Sequence, residues 1–241
     1  MTNDKPCATI MMEYISDRKR IKIMELTDKK AVFLGDSITQ GVGVSDDDHI
    51  YLNLLANMAE LCEVKNYGIS GTRFARQRSV TNEPTFDLDF CSRVKDLDID
   101  ADIVVVFGGT NDFGHGDAPI GTPDDRTPDT FWGACHTLMR SLVERFHDNT
   151  IVFMTPLHRL NEDNPCGDNK PAPVATLAEY VEIIKTVAAW YAIPVLDLFA
   201  TSGIQPRVPI IQETYCPDGL HPNDAGHQKI AERLYNFLLS L

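Results

Sequence analysis

Short apolar runs alternate along the chain with longer stretches of helical period. The runs fall at residues 31–35, 64–67, 103–107, 151–154 and 193–196, and Gly, Pro, Asn or Asp closes or follows each. Runs this short and this rich in β-branched residues read as strands of a parallel sheet buried on both faces. Between them, apolar positions recur at helical spacing over 50–61, about 131–146 and 174–190. A last helix is expected from Asn223 and Asp224, which can cap it, with Ile230, Leu234, Phe237 and Leu238 on one face.

Some five rounds of strand and helix predict a doubly wound α/β domain, a three-layer α/β/α sandwich. Ligands of such sheets bind at the carboxyl ends of the strands. Residues 1–29 lack the rhythm. They are mixed and charged, with a short apolar stretch at 10–15, and read as an N-terminal extension to one domain over 30–241. Two long connections, 113–128 and 156–173, are rich in Gly, Pro and Asp, as lids or mobile loops are.

Composition narrows the classes of partner. The 241 residues, 43% hydrophobic, suffice for one sizeable core. The 22 Lys and Arg against 35 Asp and Glu leave a net charge of −13, the wrong sign for a protein that grips a phosphate backbone. No run approaches the ~20 apolar residues of a membrane span, so neither nucleic acid nor membrane insertion is expected. The six cysteines, at 7, 62, 91, 135, 166 and 216, are scattered without a CxxC pair. They read as reduced thiols of a cytoplasmic protein, not as a disulfide framework or a zinc knuckle. No His pair has a third ligand near it in sequence, so no metal or cofactor is expected. Nothing in the sequence speaks to oligomeric state.

Four segments carry chemistry, each after a predicted strand or just before the last helix. Gly35-Asp36-Ser37-Ile38-Thr39 places a serine on a strand-to-helix turn, with its hydroxyl raised above the sheet edge. Asn66-Tyr67-Gly68-Ile69-Ser70-Gly71 follows the second strand; its glycines admit close approach to the backbone. Gly68-Ile69-Ser70-Gly71-Thr72 misses the G-x-S-x-G elbow at its last position, so Ser70 lacks the turn chemistry of a nucleophile. Gly108-Gly109-Thr110-Asn111-Asp112 follows the third strand, where the Asn111 amide offers a neutral donor to a developing oxyanion. Asp218-Gly219-Leu220-His221-Pro222-Asn223 sets a carboxylate and an imidazole three residues apart, so that one can fix the tautomer of the other.

In combination these strings resemble the SGNH (GDSL) hydrolase family, whose four blocks supply Ser, Gly, Asn and His; here they are Ser37, Gly71, Asn111 and His221. The resemblance spans roughly 31–240. It implies a five-stranded parallel sheet in a flavodoxin-like sandwich, and hydrolysis of an ester, or sometimes a thioester, of a lipid, carbohydrate or small acyl compound as the small-molecule substrate. On this reading Ser37 is the nucleophile, His221 the base and Asp218 its orienting partner. The backbone N–H groups of Ser37 and Gly71 and the Asn111 amide form the oxyanion hole. A short-acyl or acetyl ester of a small polar or carbohydrate compound is the expected substrate, because no exposed apolar stretch stands out. Acyl transfer or thioester cleavage by the same groups, and a non-catalytic binding module, are the alternatives. Asp36, Arg73, Phe74, Phe113 and His115 are candidate substrate contacts: Arg73 for an anionic part, Phe113 and His115 for an acyl or sugar wall, with Trp132 nearby. The run Asp46–His49 reads as a solvated loop or helix start rather than a cation site, and Asp197 as a structural carboxylate.

Overall fold

Alternate side chains of β1 (Lys30–Gly35) enter different cores: Val32 and Leu34 pack on one face of the sheet, Ala31 and Phe33 on the other. The same division runs through β3 (Ile103–Phe107), with Val104 and Val106 opposite Ile103, Val105 and Phe107. Period two sorts these residues, and the absence of a polar face marks strands covered on both sides. Each fully buried Val, Leu or Phe contributes about 1.5–3 kcal/mol. The structure is a computed structural model, and it describes residues 24–241. Most of the extension read at 1–29, including the apolar stretch at 10–15, lies outside the described residues. The described part, 24–29, leads into the sheet: Leu26 is buried, and the Asp28 N–H donates to the Glu60 carbonyl at 3.0 Å.

The sheet has five parallel strands in the order β2-β1-β3-β4-β5, completed by β2 (Glu63–Gly68), β4 (Thr150–Met154) and β5 (Val195–Leu196). This is the flavodoxin-like order, and its switch point falls between β1 and β3. Helices α1 (Ser37–Gln40), α2 (Tyr51–Ala59), α3 (Phe90–Arg93), α4 (Thr110–Gly114) and α5 (Phe131–Arg145) follow in turn, then α6 (Leu177–Trp190), α7 (Leu198–Thr201), α8 (Pro209–Tyr215) and α9 (Asp224–Leu239). Helices α5 and α6 cover one face, α2 and α9 the other.

Departures from the expected elements have local causes. Helix α6 starts three residues later than 174, because Thr176 and Glu179 form a capping box. The last strand shrinks from 193–196 to two residues. The Ile193 N–H still closes the preceding helix on the Ala188 carbonyl, and Pro194 has no N–H to give. The second strand is an edge, half-buried rather than buried on both faces. The connection 156–173 is not a free lid: buried Arg159 is paired with Asp168 at 2.6 Å, and buried Lys170 donates to the Asp112 carbonyl at 2.6 Å. Asp197 caps α7 through the Ala200 N–H and meets Lys185 at 2.9 Å, and Asp46 caps a short 3-10 turn at Asp47–His49, both as expected.

Candidate active site

The switch point gathers the four segments. Ser37 is the first residue of α1, directly beyond β1, and 7% of its surface remains exposed. Its hydroxyl lies 3.0 Å from Nε2 of His221. On the other side of the ring, Nδ1 lies 2.7 Å from Oδ2 of Asp218. A carboxylate only accepts, so Nδ1 carries the proton and Nε2 turns its lone pair to the Ser37 hydroxyl. Asp218 is itself held by its turn: Oδ1 accepts the N–H groups of Leu220 at 2.8 Å and His221 at 2.7 Å. Partial burial pulls the Asp218 carboxyl upward, but those N–H groups and the imidazole outweigh it and keep the group below its usual range. The carboxylate therefore stays charged beside the ring.

Gly71 occupies the turn after β2 with φ +75°, a left-handed conformation that side chains resist. The turn is anchored from below by buried Arg93, which donates to the Gly35 carbonyl at 3.3 Å, to the Thr72 hydroxyl at 3.0 Å and to the Tyr67 carbonyl. Gly68 lets β2 meet the end of α1, since a Cβ there would lie 2.2 Å from the Gln40 nitrogen. Among the described residues, the N–H groups of Ser37 and Gly71 find no protein acceptor. Asn111, the second residue of α4, donates from Nδ2 to the Thr72 carbonyl at 3.0 Å, which brings its amide to the Gly71 turn. Asp112 fastens the same turn from the other side, accepting from the N–H groups of Phe74 and Ala75 at 2.9 Å each. Its burial pushes its pKa up to about 6.

The candidate substrate contacts fare differently. Phe74 and Phe113 are fully buried among core aromatics, Phe74 stacked on Phe131 and Phe113 edge-on to Tyr180, so neither faces a substrate. Asp36 is also buried and is spent as the cap of α1, accepting from the Ile38 N–H at 3.0 Å; burial pushes its pKa up to about 7. These three expectations are corrected: residues next to the motifs in sequence point down into the layers. Arg73 is 2% exposed, and its guanidinium is engaged by His115 and the Phe86 carbonyl, so it is not free for an anionic substrate group. His115 keeps one edge at the surface while both its ring nitrogens are engaged within the protein, and Trp132 is half-buried against the core.

Two site neighbours were not read from the sequence. Phe86 lies against Gly71, its Cγ 3.0 Å from where a Cβ would stand, and Leu160 covers Gly219 beside Asp218; both remain partly exposed. Phe86 and Leu88 are isolated apolar residues in a polar stretch, which was the one available signal. Among the described residues, no three His, Cys, Asp or Glu side chains gather as a metal-ligand set.

The fold and site define a class: a doubly wound α/β protein with Ser, His and Asp aligned at its switch point. The profile of the GDSL-like Lipase/Acylhydrolase family matches residues 33–229. A solved structure with 31% identity covers 90% of this chain and 99% of its own, with a TM-score of 0.78. A Lactobacillus plantarum protein of known structure shares 29% identity over 88% of this chain and 97% of its own, with a TM-score of 0.74. A member of the lipolytic G-D-S-L family from Veillonella parvula, at 16% identity and a TM-score of 0.57, shares the fold over 86% of this chain and 96% of its own. No match was found among curated proteins. The chain belongs to the GDSL-like lipase/acylhydrolase family and is an esterase- or lipase-like hydrolase of the SGNH type. No described helix is long and apolar enough to cross a membrane.

Proposed function

We propose that this protein is a serine esterase that cleaves short acyl esters, acetyl esters above all, of small polar or carbohydrate alcohols. The observation that carries the reading is the aligned row Ser37 Oγ, His221 Nε2, His221 Nδ1 and Asp218 Oδ2, with contacts of 3.0 and 2.7 Å. Ser37 attacks the ester carbonyl as Nε2 takes its proton, and Asp218 stabilises the imidazolium. The N–H groups of Ser37 and Gly71 and the Asn111 amide receive the oxyanion. His221 then protonates the leaving alcohol, and water, deprotonated at the same nitrogen, releases the acid from Ser37.

The short-acyl preference rests on what flanks the serine. Phe74 and Phe113 belong to the core and build no acyl tunnel, while Phe86 and Leu160 stand singly at the two sides of the site. The thiols of Cys62, Cys91, Cys135, Cys166 and Cys216 are all free, in keeping with a cytoplasmic setting.

A fluorophosphonate probe tests the chemistry. Covalent labelling is expected, and it should vanish in Ser37→Ala. A wild-type protein that folds yet takes up no label is a binding module. p-Nitrophenyl esters from acetyl to palmitoyl, alongside acetylated sugars, test the substrate class. Rates should fall with chain length, and a maximum at palmitoyl overturns the short-acyl reading. Product analysis with added alcohols separates hydrolysis from acyl transfer.

A further inference from the structure

The amide of Asn111 is held from both ends. Its Nδ2 donates to the Thr72 carbonyl at 3.0 Å, and its Oδ1 lies 3.2 Å from Nε2 of His115. Beyond that ring, Nδ1 of His115 lies 2.9 Å from a guanidinium nitrogen of Arg73. The protons in this row have one arrangement. Arginine only donates, so Nδ1 of His115 must accept. The neutral ring then carries its proton on Nε2 and donates to Oδ1 of Asn111. The Thr72 carbonyl only accepts, which independently turns the NH₂ end of the amide to that side. Both ends dictate the same rotamer. One amide hydrogen is spent on Thr72, and the other is left for a ligand.

We propose that His115 and Arg73 are positioning residues, which aim the Asn111 amide through this row so that its free N–H meets the oxyanion. The inference rests on the oxyanion-hole role of Asn111 given above. Arg73 is buried, and its other nitrogen donates to the Phe86 carbonyl at 2.6 Å. One guanidinium thus locks the ring behind Asn111 and also the segment whose phenyl ring lies against Gly71. The ring does not compete as a proton carrier: loss of hydration and the charge of Arg73 push the pKa of His115 down to about 4. It stays neutral near pH 7, with Nδ1 open to Arg73. An amide without this brace can rotate and offer its carbonyl oxygen to the oxyanion, which repels it.

The test uses p-nitrophenyl acetate with the full chain and five variants: Ser37→Ala, Asn111→Ala, His115→Ala, His115→Gln and His115→Glu. Glutamine supplies an acceptor and a donor at a spacing close to that of the imidazole nitrogens; glutamate accepts but cannot donate to Asn111. His115→Ala should lower kcat about tenfold with KM within twofold, short of the roughly 10²–10³-fold loss expected for deleting the donor in Asn111→Ala. His115→Gln should recover kcat to within about threefold of wild type, and His115→Glu should not. Thermal unfolding accompanies each variant. Should His115→Ala fail to fold, the glutamine and glutamate variants decide alone. A wild-type kcat in His115→Ala beside a crippled Asn111→Ala overturns the positioning role and leaves the esterase reading intact. So does a glutamine variant no better than the glutamate one. A wild-type kcat in Asn111→Ala overturns the oxyanion-hole reading itself, and with it this inference.

Discussion

The hydroxyl of Ser37 stands 3.0 Å from Nε2 of His221, although 184 positions separate them in the chain. One follows the first strand of the sheet and the other opens the last helix. Their meeting is made by topology: β1 is an interior strand, flanked by β2 and β3, and α9 packs on α2 across one face of the sheet.

Asp218→Asn should cripple the reaction and spare the fold. The carbonyl oxygen of the new amide can keep the Leu220 and His221 N–H groups that Oδ1 now accepts. Its NH₂ faces Nδ1 and favours the tautomer with the proton on Nε2, which abolishes the lone pair facing Ser37. A loss of about 10²–10⁴-fold in kcat is expected with little change in KM. Steady-state kinetics and a melting curve check both halves.

Gly71→Ala should cost both stability and rate. The position has φ +75°, and a Cβ would press on Phe86 at 3.0 Å. A left-handed residue with a Cβ costs roughly 1–2 kcal/mol. Relief by rotating the peptide would turn its N–H from the oxyanion, so kcat should fall at least about tenfold. Urea unfolding and kcat, measured together, report the two effects.

Phe74→Ala should behave as a core lesion. Its ring is fully buried, 5.0 Å from Phe90 and 5.9 Å from Phe131. Truncation should destabilise by about 3–5 kcal/mol. For the protein that remains folded, KM should hold within a few-fold. An unchanged midpoint of unfolding with a large rise in KM would restore Phe74 as a substrate contact.

His227 should make stability fall in acid. Its ring is buried, and Nδ1 accepts the Tyr51 N–H at 3.1 Å. Burial lowers its pKa to about 4, against 6.5 for the free side chain. Between those values the unfolded chain binds a proton that the folded protein refuses, so stability is lost as pH falls. The term is absent at pH 7 and reaches about 3 kcal/mol near pH 4. Buried Asp36 and Asp112, with raised pKa values, act in the opposite sense and favour the folded state as pH falls. The informative quantity is therefore the difference between wild type and His227→Gln in urea titrations from pH 7 to 4. Wild type should lose ground to the variant on acidification, and parallel curves would contradict the assignment.

Much of this protein was legible before any coordinates. Uninterrupted apolar runs such as 103–107 signal strands covered on both faces, and turn chemistry after three strands and before the last helix marks Ser37, Gly71, Asn111 and the Asp218–His221 pair as candidates. Direction was harder to read. Asp36, Phe74 and Phe113 sit within or beside the motifs but point inward, and sequence adjacency says nothing about which layer a side chain enters at an irregular turn. The row from Arg73 through His115 to Asn111 is invisible for another reason: all three residues are candidates in the sequence, but a hydrogen-bond row between separate turns leaves no period or spacing to detect. Phe86 reaches Gly71 across a connection of irregular structure, where pattern arguments have no purchase.

On the proposed mechanism, the late position of His221 makes catalytic power a readout of finished architecture. A fragment ending at residue 217 would still hold the serine and both turns of the oxyanion hole, yet it would have no base. Ser45, close behind the nucleophile, donates from its N–H and its hydroxyl to the carboxylate of Asp224 in the first turn of α9, and Tyr51 gives its N–H to His227 one turn further on. The serine therefore stays without its imidazole until that helix docks, and a half-assembled molecule should not cleave esters.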